Sequence, residues 1–212
     1  MSIDDCGNHG RCKGRRLHLY LSAAALIFVF LILLTILIIW LLLRHTKPEF
    51  YLQDASVEQF NLTAGDSNSL TAVLQVSLSS RNPNDRVGIY YDKLDAFAAY
   101  RGQQITGCTA LPAGYQGHHA AALWWPFLVG EGVPLAEYIA VAMERDAAAG
   151  LLLLDVKIEG RLRWKSGSWK YGHRHLHVDC PALISIDHGT GTSGSSAPSF
   201  HFRRTTSCTV DV

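Results

Sequence analysis

The amino-acid sequence predicts a mainly β protein, in which a single N-terminal transmembrane helix is followed by a two-sheet β-sandwich with one short helix. Three observations support this prediction. Residues 19–43 form a run of 25 residues without a formal charge. Apolar and polar residues then alternate with a period of two along much of the chain. Turn-forming residues interrupt this alternation every ten residues or so, which is typical of a sandwich.

The uncharged run at 19–43 is long enough to cross a membrane. At about 1.5 Å per residue the helix would be roughly 37 Å long, which exceeds the ~30 Å hydrocarbon core of a bilayer. A core helix would have a polar face, and a cleaved signal peptide has a shorter apolar core and a small-residue cleavage site. The run has neither property, and it ends in WLLLR at 40–44. We therefore expect an uncleaved single span.

The charges that flank the span predict its orientation. Four basic residues precede the span and two follow it: Arg11, Lys13, Arg15 and Arg16, then Arg44 and Lys47. By the positive-inside rule, residues 1–18 form a cytosolic basic tail, and the chain after the span lies outside the cytosol. Residues 44–49 are predicted to form a short stalk. We expect the protein in the plasma membrane, with the endoplasmic reticulum as the alternative.

Modification motifs agree with this orientation. Asn61 opens an acceptable N-glycosylation sequon on the outer side of the membrane. Cys6 and Cys12 lie in the cytosolic tail, where a juxtamembrane cysteine is a candidate for reversible acylation. Two plain free thiols are the equal alternative for this pair.

The three remaining cysteines lie on the outer side, where disulfides persist, and allow at most one internal pair: Cys108, Cys180 and Cys208. A bond between Cys180 and Cys208 would attach the last strand to the domain across a loose linker. In the chain-entropy description, a closed loop of about 28 residues stabilises by roughly 3 kcal/mol. Free thiols remain the alternative.

The sandwich is predicted over 50–186. Residues 70–78 alternate as a strand with one core face, and Asn82-Pro83-Asn84 stops it, because proline cannot donate to a strand ladder. The segments VGIYY (87–91) and LDAFAAY (94–100) are predicted to be two short strands joined as a hairpin. Arg101-Gly102 makes the next turn.

The second half of the sandwich contains the predicted helix. The helix begins at Pro134, ends at Gly150 and presents Leu135, Ile139, Ala142 and Met143 on one side. A strongly alternating strand at 152–165 then turns at KSGSW and returns over 169–180. Residues 187–199 are a Gly/Ser linker, and 200–212 are predicted to add a final edge strand. The strand spacing predicts an immunoglobulin/fibronectin-III-like sandwich.

Five segments in a fixed order carry a resemblance to a known family. They read PEFYLQDASVEQFN, RNPNDRVGIYYDKLDAFAAYRGQQIT, LPAGYQGH, GRLRWKSGSW and VDCPA. They resemble the plant non-race-specific-disease-resistance/harpin-induced-like family, whose outer domain is of the late-embryogenesis-abundant type-2, or water-stress and hypersensitive-response, kind. The resemblance covers roughly residues 48–186. It implies a β-sandwich, no enzyme activity, plasma-membrane anchoring and a role in plant defence or stress signalling.

The second of these segments has a structural interpretation. Its marked residues are Asn82, Pro83, Asn84, Gly88, Tyr90 and Tyr91. The two asparagine side chains are expected to satisfy backbone groups at the strand end. Gly88 permits a bulge or a close backbone approach. Tyr90 and Tyr91 should point to opposite faces of a strand, one into the core. A partner-binding role for this loop is the alternative.

Several chemical functions are disfavoured. His173, His175 and His177 alternate along a strand, but the residues between them are core-like, so an open histidine ladder facing solvent is expected rather than a metal site. The pattern GxGxxG at 189–194 lacks the helix that a dinucleotide site requires. No GxSxG, HExxH or CxxC motif occurs. We therefore predict no enzyme activity, cofactor or metal.

The leading functional hypothesis is a membrane-anchored signalling or interaction protein in plant defence, with a protein partner at the cell surface. The alternative is lipid or membrane handling, because the apolar segment ALWWPFLVG at 122–130 could line a groove or touch lipid. With 19 Lys and Arg against 18 Asp and Glu, the chain has no basic field that would predict nucleic-acid binding.

Overall fold

A computed structural model describes residues 9–43, 46–63, 68–187 and 199–212 of the chain. The chain divides into two compact units, Met1–His45 and Thr46–Val212. Cys6 and most of the predicted Gly/Ser linker, residues 188–198, lie outside the described residues.

The first unit contains one long helix, α1 (His9–Leu43). Its run Tyr20–Ile38 has a mean hydropathy of 3.0 and none of it is buried. The hydroxyl of Thr35 donates to the carbonyl oxygen of Ile32 at 2.7 Å, which satisfies this polar group within the apolar run. The helix begins ten residues before the predicted span, so it includes much of the predicted tail. The N-terminal apolar helix fits the predicted single span.

The second unit is a β-sandwich with one helix, α2 (Glu137–Ala148). The strands of the described residues are β1 (Glu49–Thr63), β2 (Ser69–Arg81), β3 (Gly88–Tyr100), β4 (Gln103–Gln104), β5 (Thr109–Leu111), β6 (Gly114–Gln116), β7 (Ala121–Trp124), β8 (Phe127–Pro134), β9 (Leu151–Ser166), β10 (Trp169–Asp187), β11 (Ser199–Phe202), β12 (Thr206–Ser207) and β13 (Thr209–Asp211). The predicted mainly β fold with two sheets is confirmed.

The strands form two antiparallel sheets. The smaller sheet has the order β12-β1-β2-β7, and β8 also pairs with β2. The larger sheet has the order β11-β10-β9-β3-β4, with β13 on β10 and both β5 and β6 on β3. Alternate side chains of each sheet point into the space between them, as the period of two requires. Phe50 of the smaller sheet thus meets Tyr91 of the larger sheet, with ring centroids 6.3 Å apart.

One predicted hairpin and one predicted helix boundary are wrong. Segments 87–91 and 94–100 do not form a hairpin, because β3 is continuous through Asp92-Lys93. A register shift against β9 between Tyr91 and Lys93 absorbs the irregularity without turning the chain. The helix starts after Ala136 rather than at Pro134, because Pro134 still pairs with Ser69 in the smaller sheet.

Both ends of the domain are more extensive than predicted. Thr46 to Pro48 belong to the second unit, and β1 begins at Glu49, so most of the predicted stalk is part of the domain. The C-terminal segment does not form one edge strand. It forms three short strands that pair with both sheets, since β11 and β13 lie against β10 whereas β12 lies against β1.

Candidate functional site

The structure gathers most of the predicted motif residues at one end of the sandwich. We call it the entry end and define it by Thr46, the loop 81–88, the loop 117–120 and the β9–β10 turn at 167–168. Strand register establishes this grouping, because Glu49 pairs with Arg81 and Gly88 pairs with Lys165.

Two buried asparagines join Thr46 to the loops 81–88 and 117–120 of the entry end. Asn84 and Thr46 exchange three hydrogen bonds. The Thr46 amide donates to Asn84 Oδ1 at 2.7 Å, its hydroxyl donates to the same atom at 3.0 Å, and Asn84 Nδ2 donates to the Thr46 carbonyl at 2.9 Å. Asn82 Oδ1 in turn accepts from the amide and from Nδ2 of Asn84. Asn82 Nδ2 donates to the carbonyls of Val87 and Gly117, both at 2.9 Å. We call this set the Asn82–Asn84 lock.

A second polar network lies behind the lock. The Tyr91 hydroxyl is 3.0 Å from Ser80 Oγ and donates to Gln116 Oε1 at 2.9 Å. Gln116 Nε2 then donates to the carbonyls of Ser80 and Ala120. Burial raises the pKa of Tyr91 well above its ordinary value. The phenol therefore stays neutral and acts as a structural donor rather than as a base.

Tyr90 and Tyr91 lie on opposite faces of β3. Tyr91 is buried, whereas the ring of Tyr90 is half-buried on the outer face between two cations. Lys170 Nζ is 3.9 Å from the Tyr90 ring centroid, and Arg163 Cζ is 5.5 Å from it. Arg163 also pairs with Asp92. The outer face at the entry end is therefore a cationic and aromatic surface.

Gly88 makes room for a neighbouring ring rather than for a bulge. A Cβ at this position would lie 2.4 Å from the hydroxyl oxygen of Tyr115. Tyr115 in turn carries a cation, since Lys165 Nζ is 4.6 Å from its ring centroid. The register irregularity predicted near this glycine lies between Tyr91 and Lys93 instead.

The outer cysteines and the sequon are also located. Cys180 and Cys208 form a disulfide with Cα atoms 4.3 Å apart, while Cys108 is free and exposed. The Cys208 amide donates to the Phe50 carbonyl at 2.9 Å, so the disulfide connects the larger sheet to β1. Asn61 is exposed on β1. Cys12 lies in α1, and its side chain, like all of Cys6, is outside the described residues.

The histidine ladder is open, as its spacing indicates. His173, His175 and His177 are all exposed. No group of three or more histidine, cysteine or acidic side chains among the described residues is arranged to hold a metal ion. A groove of about 500 Å³ beside His177 is lined by mixed charges that include Asp155 and Asp179. Burial, followed by the charge of Asp179, raises the pKa of Asp155.

The segment 122–130 divides its apolar residues between the core and the surface. Trp124 and Leu128 are buried, whereas four large residues between and beside them are exposed: Leu123, Trp125, Phe127 and Val129. Trp124 stacks on Phe50 with centroids 6.3 Å apart. The exposed residues form an apolar stripe along the edge of the smaller sheet.

The sequence did not identify Thr46, Ser80 and Gln116 as members of these networks. Thr46 lies 38 residues from its partner Asn84, and Ser80 lies 36 residues from its partner Gln116. Strand alternation could have identified Ser80 as a polar residue at a core-facing position, because Leu74, Val76 and Leu78 share its parity. Nothing in the sequence pattern predicts the Thr46 contact.

The chain combines an apolar N-terminal helix with a β-sandwich that contains these motif segments. A family model described as Late embryogenesis abundant protein matches residues 77–181, from β2 to β10 of the sandwich. The chain belongs to the NDR1/HIN1-like family. It is 44% identical to NDR1/HIN1-like protein 1 of Arabidopsis thaliana over 99% of this chain and all of that protein. It is 43% identical to NDR1/HIN1-like protein 12 of the same plant over 88% of each chain.

Two further similarities are weaker. NDR1/HIN1-like protein 26 of Arabidopsis thaliana is 41% identical over 73% of each chain. Among solved structures, a protein from Archaeoglobus fulgidus is 14% identical with a TM-score of 0.31, over 61% of this chain and 94% of that one. The names of the family and of these plant relatives do not denote enzymes.

Proposed function

We propose that this protein is a non-enzymatic signalling or interaction protein that a single span anchors in the plasma membrane. Its sandwich lies outside the cytosol, and it acts in plant defence and stress responses. Membership of the NDR1/HIN1-like family, with its late embryogenesis abundant domain, supports the plant stress and defence role. One observation carries the anchoring: the run Tyr20–Ile38 is long, strongly apolar and wholly unburied, which is costly in water.

Two features of the domain support an extracytoplasmic location. The disulfide between Cys180 and Cys208 would persist in an oxidising compartment but not in the cytosol. Asn61, which opens the sequon, is exposed and so accessible to a glycosyltransferase. These features agree with the four-against-two distribution of basic residues around the span.

The chemistry of the described residues supports an interaction role. The motif tyrosine Tyr91 and both motif asparagines are committed to buried structural hydrogen bonds. The charged and aromatic groups that remain accessible lie on open strand surfaces, which suits recognition of another surface more than the enclosure of a substrate.

Topology is tested first, in sealed microsomes that carry the full chain with a tag at each terminus. We expect the C-terminal tag to be protected from protease and the N-terminal tag to be digested. Asn61→Gln should abolish any shift that deglycosylation produces. A protease-sensitive C-terminal tag in intact vesicles would reverse the orientation and place the cysteines in a reducing compartment.

Function is then tested by complementation in plants that lack the chain. Re-expression of the full chain should restore pathogen resistance. A secreted form that begins at Thr46 should accumulate but fail to restore it. Full restoration by the secreted form would show that the membrane span is dispensable.

The apolar stripe favours lipid or membrane handling as a second candidate function. Trp125 is 59% exposed and Phe127 is 50% exposed on adjacent parts of one edge. The core-facing residues are packed against one another, so a lipid would bind along this edge rather than between the sheets. Lipid extraction followed by mass spectrometry should then recover a lipid from the full chain, and less of it from Trp125→Ser. A protein that carries no lipid excludes this candidate.

A further inference from the structure

The hairpin formed by the end of β9 and the start of β10 has an unusual distribution of charge. Within residues 161–175, which we call the basic hairpin, five residues are basic and none is acidic: Arg161, Arg163, Lys165, Lys170 and Arg174. His173 and His175 lie in the same segment. The rest of the chain has 14 Lys and Arg against 18 Asp and Glu, so the hairpin is a local positive field.

Two of these cations face each other directly. Lys165 is the cross-strand partner of Lys170. Like charges at directly opposed positions destabilise an antiparallel pair. Among the described residues, neither lysine forms an ion pair with a carboxylate, whereas Lys157 lower on β9 pairs with Asp179 at 3.1 Å. An opposed pair of this kind indicates a surface that meets an anion rather than one that only stabilises the sheet.

Aromatic rings hold these cations in place. Lys170 lies over Tyr90 and Lys165 lies over Tyr115, with Nζ-to-centroid distances of 3.9 and 4.6 Å. Such contacts attract a cation without neutralising it. The ring contacts therefore leave both ammonium groups able to contact an external anion.

The tip of the basic hairpin carries a large exposed ring. Trp169 follows the two-residue turn Gly167-Ser168 and is 81% exposed. Tryptophan has an apolar body and a polar N–H, and it is enriched at the headgroup level of membranes. An exposed tryptophan between cationic residues is therefore suited to the boundary between water and an anionic lipid surface.

The entry end, to which the turn of the basic hairpin belongs, also holds Thr46, the first residue of the second unit. In the sequence, only residues 44 and 45 separate Thr46 from Leu43, the last residue of α1. The Asn82–Asn84 lock fixes Thr46 to the loop before β3. The first residue of β3, Gly88, pairs with Lys165 in the basic hairpin.

We propose that the basic hairpin docks on the phosphate-bearing headgroups of the membrane in which the chain is anchored. Lys165 and Lys170 contact the headgroup anions, and Trp169 enters the interface beside them. This inference rests on the proposed membrane anchoring, and it adds a second attachment that fixes which end of the sandwich faces lipid.

The test uses the full chain in nanodiscs of phosphatidylcholine, with or without phosphatidylserine, that contain a nitroxide-labelled lipid with the label near the headgroup. The measured quantity is nitroxide quenching of tryptophan fluorescence in the wild-type chain minus that in Trp169→Phe. This difference removes the contributions of Trp40, the exposed Trp125 and the buried Trp124 and Trp164. We expect this difference to be larger with phosphatidylserine. The double variant K165Q/K170Q should lower the ratio of docked to undocked hairpin by roughly tenfold.

A matched control is Lys157→Gln, which removes one charge from the same strand away from the turn and should leave the quenching unchanged. The double lysine variant should keep an unfolding temperature close to that of the wild type, because the repulsion that it relieves offsets the two cation–π contacts that it loses. The docking proposal is wrong, and the anchoring is unaffected, if the chain inserts but Trp169 is not quenched. The same holds if the quenching of Trp169 changes neither with phosphatidylserine nor in K165Q/K170Q. If the chain does not enter nanodiscs at all, the anchoring itself fails.

Discussion

Asn84 illustrates how much depends on single side chains at the entry end. It uses its amide oxygen as an acceptor for Thr46 and its amide nitrogen as a donor to Thr46 and Asn82. Asn84 makes both kinds of bond at once, and neither an aspartate nor a leucine side chain could make both. A buried polar group that loses its partner costs about 1–3 kcal/mol.

We therefore predict that Asn84→Asp lowers the free energy of unfolding by roughly 2–3 kcal/mol. The new carboxylate would face Asn82 Oδ1 and the Thr46 carbonyl, which are both acceptors. Urea denaturation followed by circular dichroism measures the loss. Asn61→Asp is the control, because Asn61 is exposed, and it should change stability little. Equal stabilities for the two variants would show that the lock contributes nothing.

Asp155 provides a pH-dependent test at the residue scale. Its pKa is raised, chiefly by burial and then by Asp179, so its charged form is unfavourable in the folded state. The wild type should therefore lose stability as pH rises through the raised pKa and the buried carboxyl group ionises. Asp155→Asn has no carboxyl group here and should not show this loss. Thermal unfolding between acidic and neutral pH should show the variant gaining relative to the wild type as pH rises. If the difference in unfolding temperature between Asp155→Asn and the wild type did not change with pH, the pKa of Asp155 would not be raised.

At the scale of elements, α2 is fixed to the sandwich by its apolar face and by Asp146, whose Oδ2 accepts from Tyr100 and, at 3.0 Å, from Arg101 Nη2. Ile139, Ala140 and Met143 are buried. Tyr100, at the end of β3, donates its hydroxyl to Asp146 Oδ2 at 2.6 Å. Burial and then this carboxylate raise the pKa of Tyr100 to about 12, and the hydroxyl lowers the pKa of Asp146.

Tyr100→Phe should lower the free energy of unfolding by about 1–2 kcal/mol at neutral pH. Because the pKa of Asp146 is lowered, the stability that its carboxylate adds is present above the ordinary carboxylate pKa. This stability is lost as pH falls through the lowered pKa. The gap between wild type and variant should therefore narrow in acid. Chemical denaturation at neutral and acidic pH measures both gaps. A gap that does not change with pH would mean that Asp146 is not the partner that matters.

Gly160 permits the close approach of β3 to β9. A Cβ at Gly160 would lie 2.2 Å from the backbone oxygen of Lys93, just beyond the register irregularity in β3. Gly160→Ala should destabilise the domain by about 1–3 kcal/mol, because backbone and not a flexible side chain must move. In Gly114→Ala the new methyl group meets open space, so it serves as the matched control. Similar melting temperatures for both variants would show that a Cβ at position 160 does not clash with the backbone of β3.

The sequence predicted the elements better than their connections. The strand at 152–165 could be predicted because apolar and charged residues alternate along it from Leu154 onwards. The hairpin predicted at Asp92-Lys93 is wrong because two consecutive polar residues are typical of a turn. Here they lie within β3, and the register shift against β9 that accommodates them leaves no local sequence pattern. The asparagine turn was predicted from local chemistry. Its partner Thr46 was not, because a contact over 38 residues leaves no local pattern.

At the scale of the whole molecule, the disulfide joins the C-terminal segment to the larger sheet. We predict that Cys208→Ser lowers the free energy of unfolding by roughly 3 kcal/mol, because the bond closes a loop with a sequence separation of 28 residues. Cys108→Ser is the control, since that thiol is free and exposed. Reduction of the wild type should reproduce the Cys208→Ser stability, and an unaffected midpoint would show that the bond is absent in solution.

The pairing of β1 with β12 has a consequence for the order in which the domain is made. The first strand of the domain finds its edge partner in Thr206-Ser207, more than 140 residues later in synthesis. Until those residues emerge from the ribosome, that side of β1 is an open template to which another nascent chain could add. During synthesis, Tyr51 and Leu52 of β1 therefore lack this partner until Thr206 and Ser207 have emerged, and in that interval strand addition by a neighbouring chain can compete with folding.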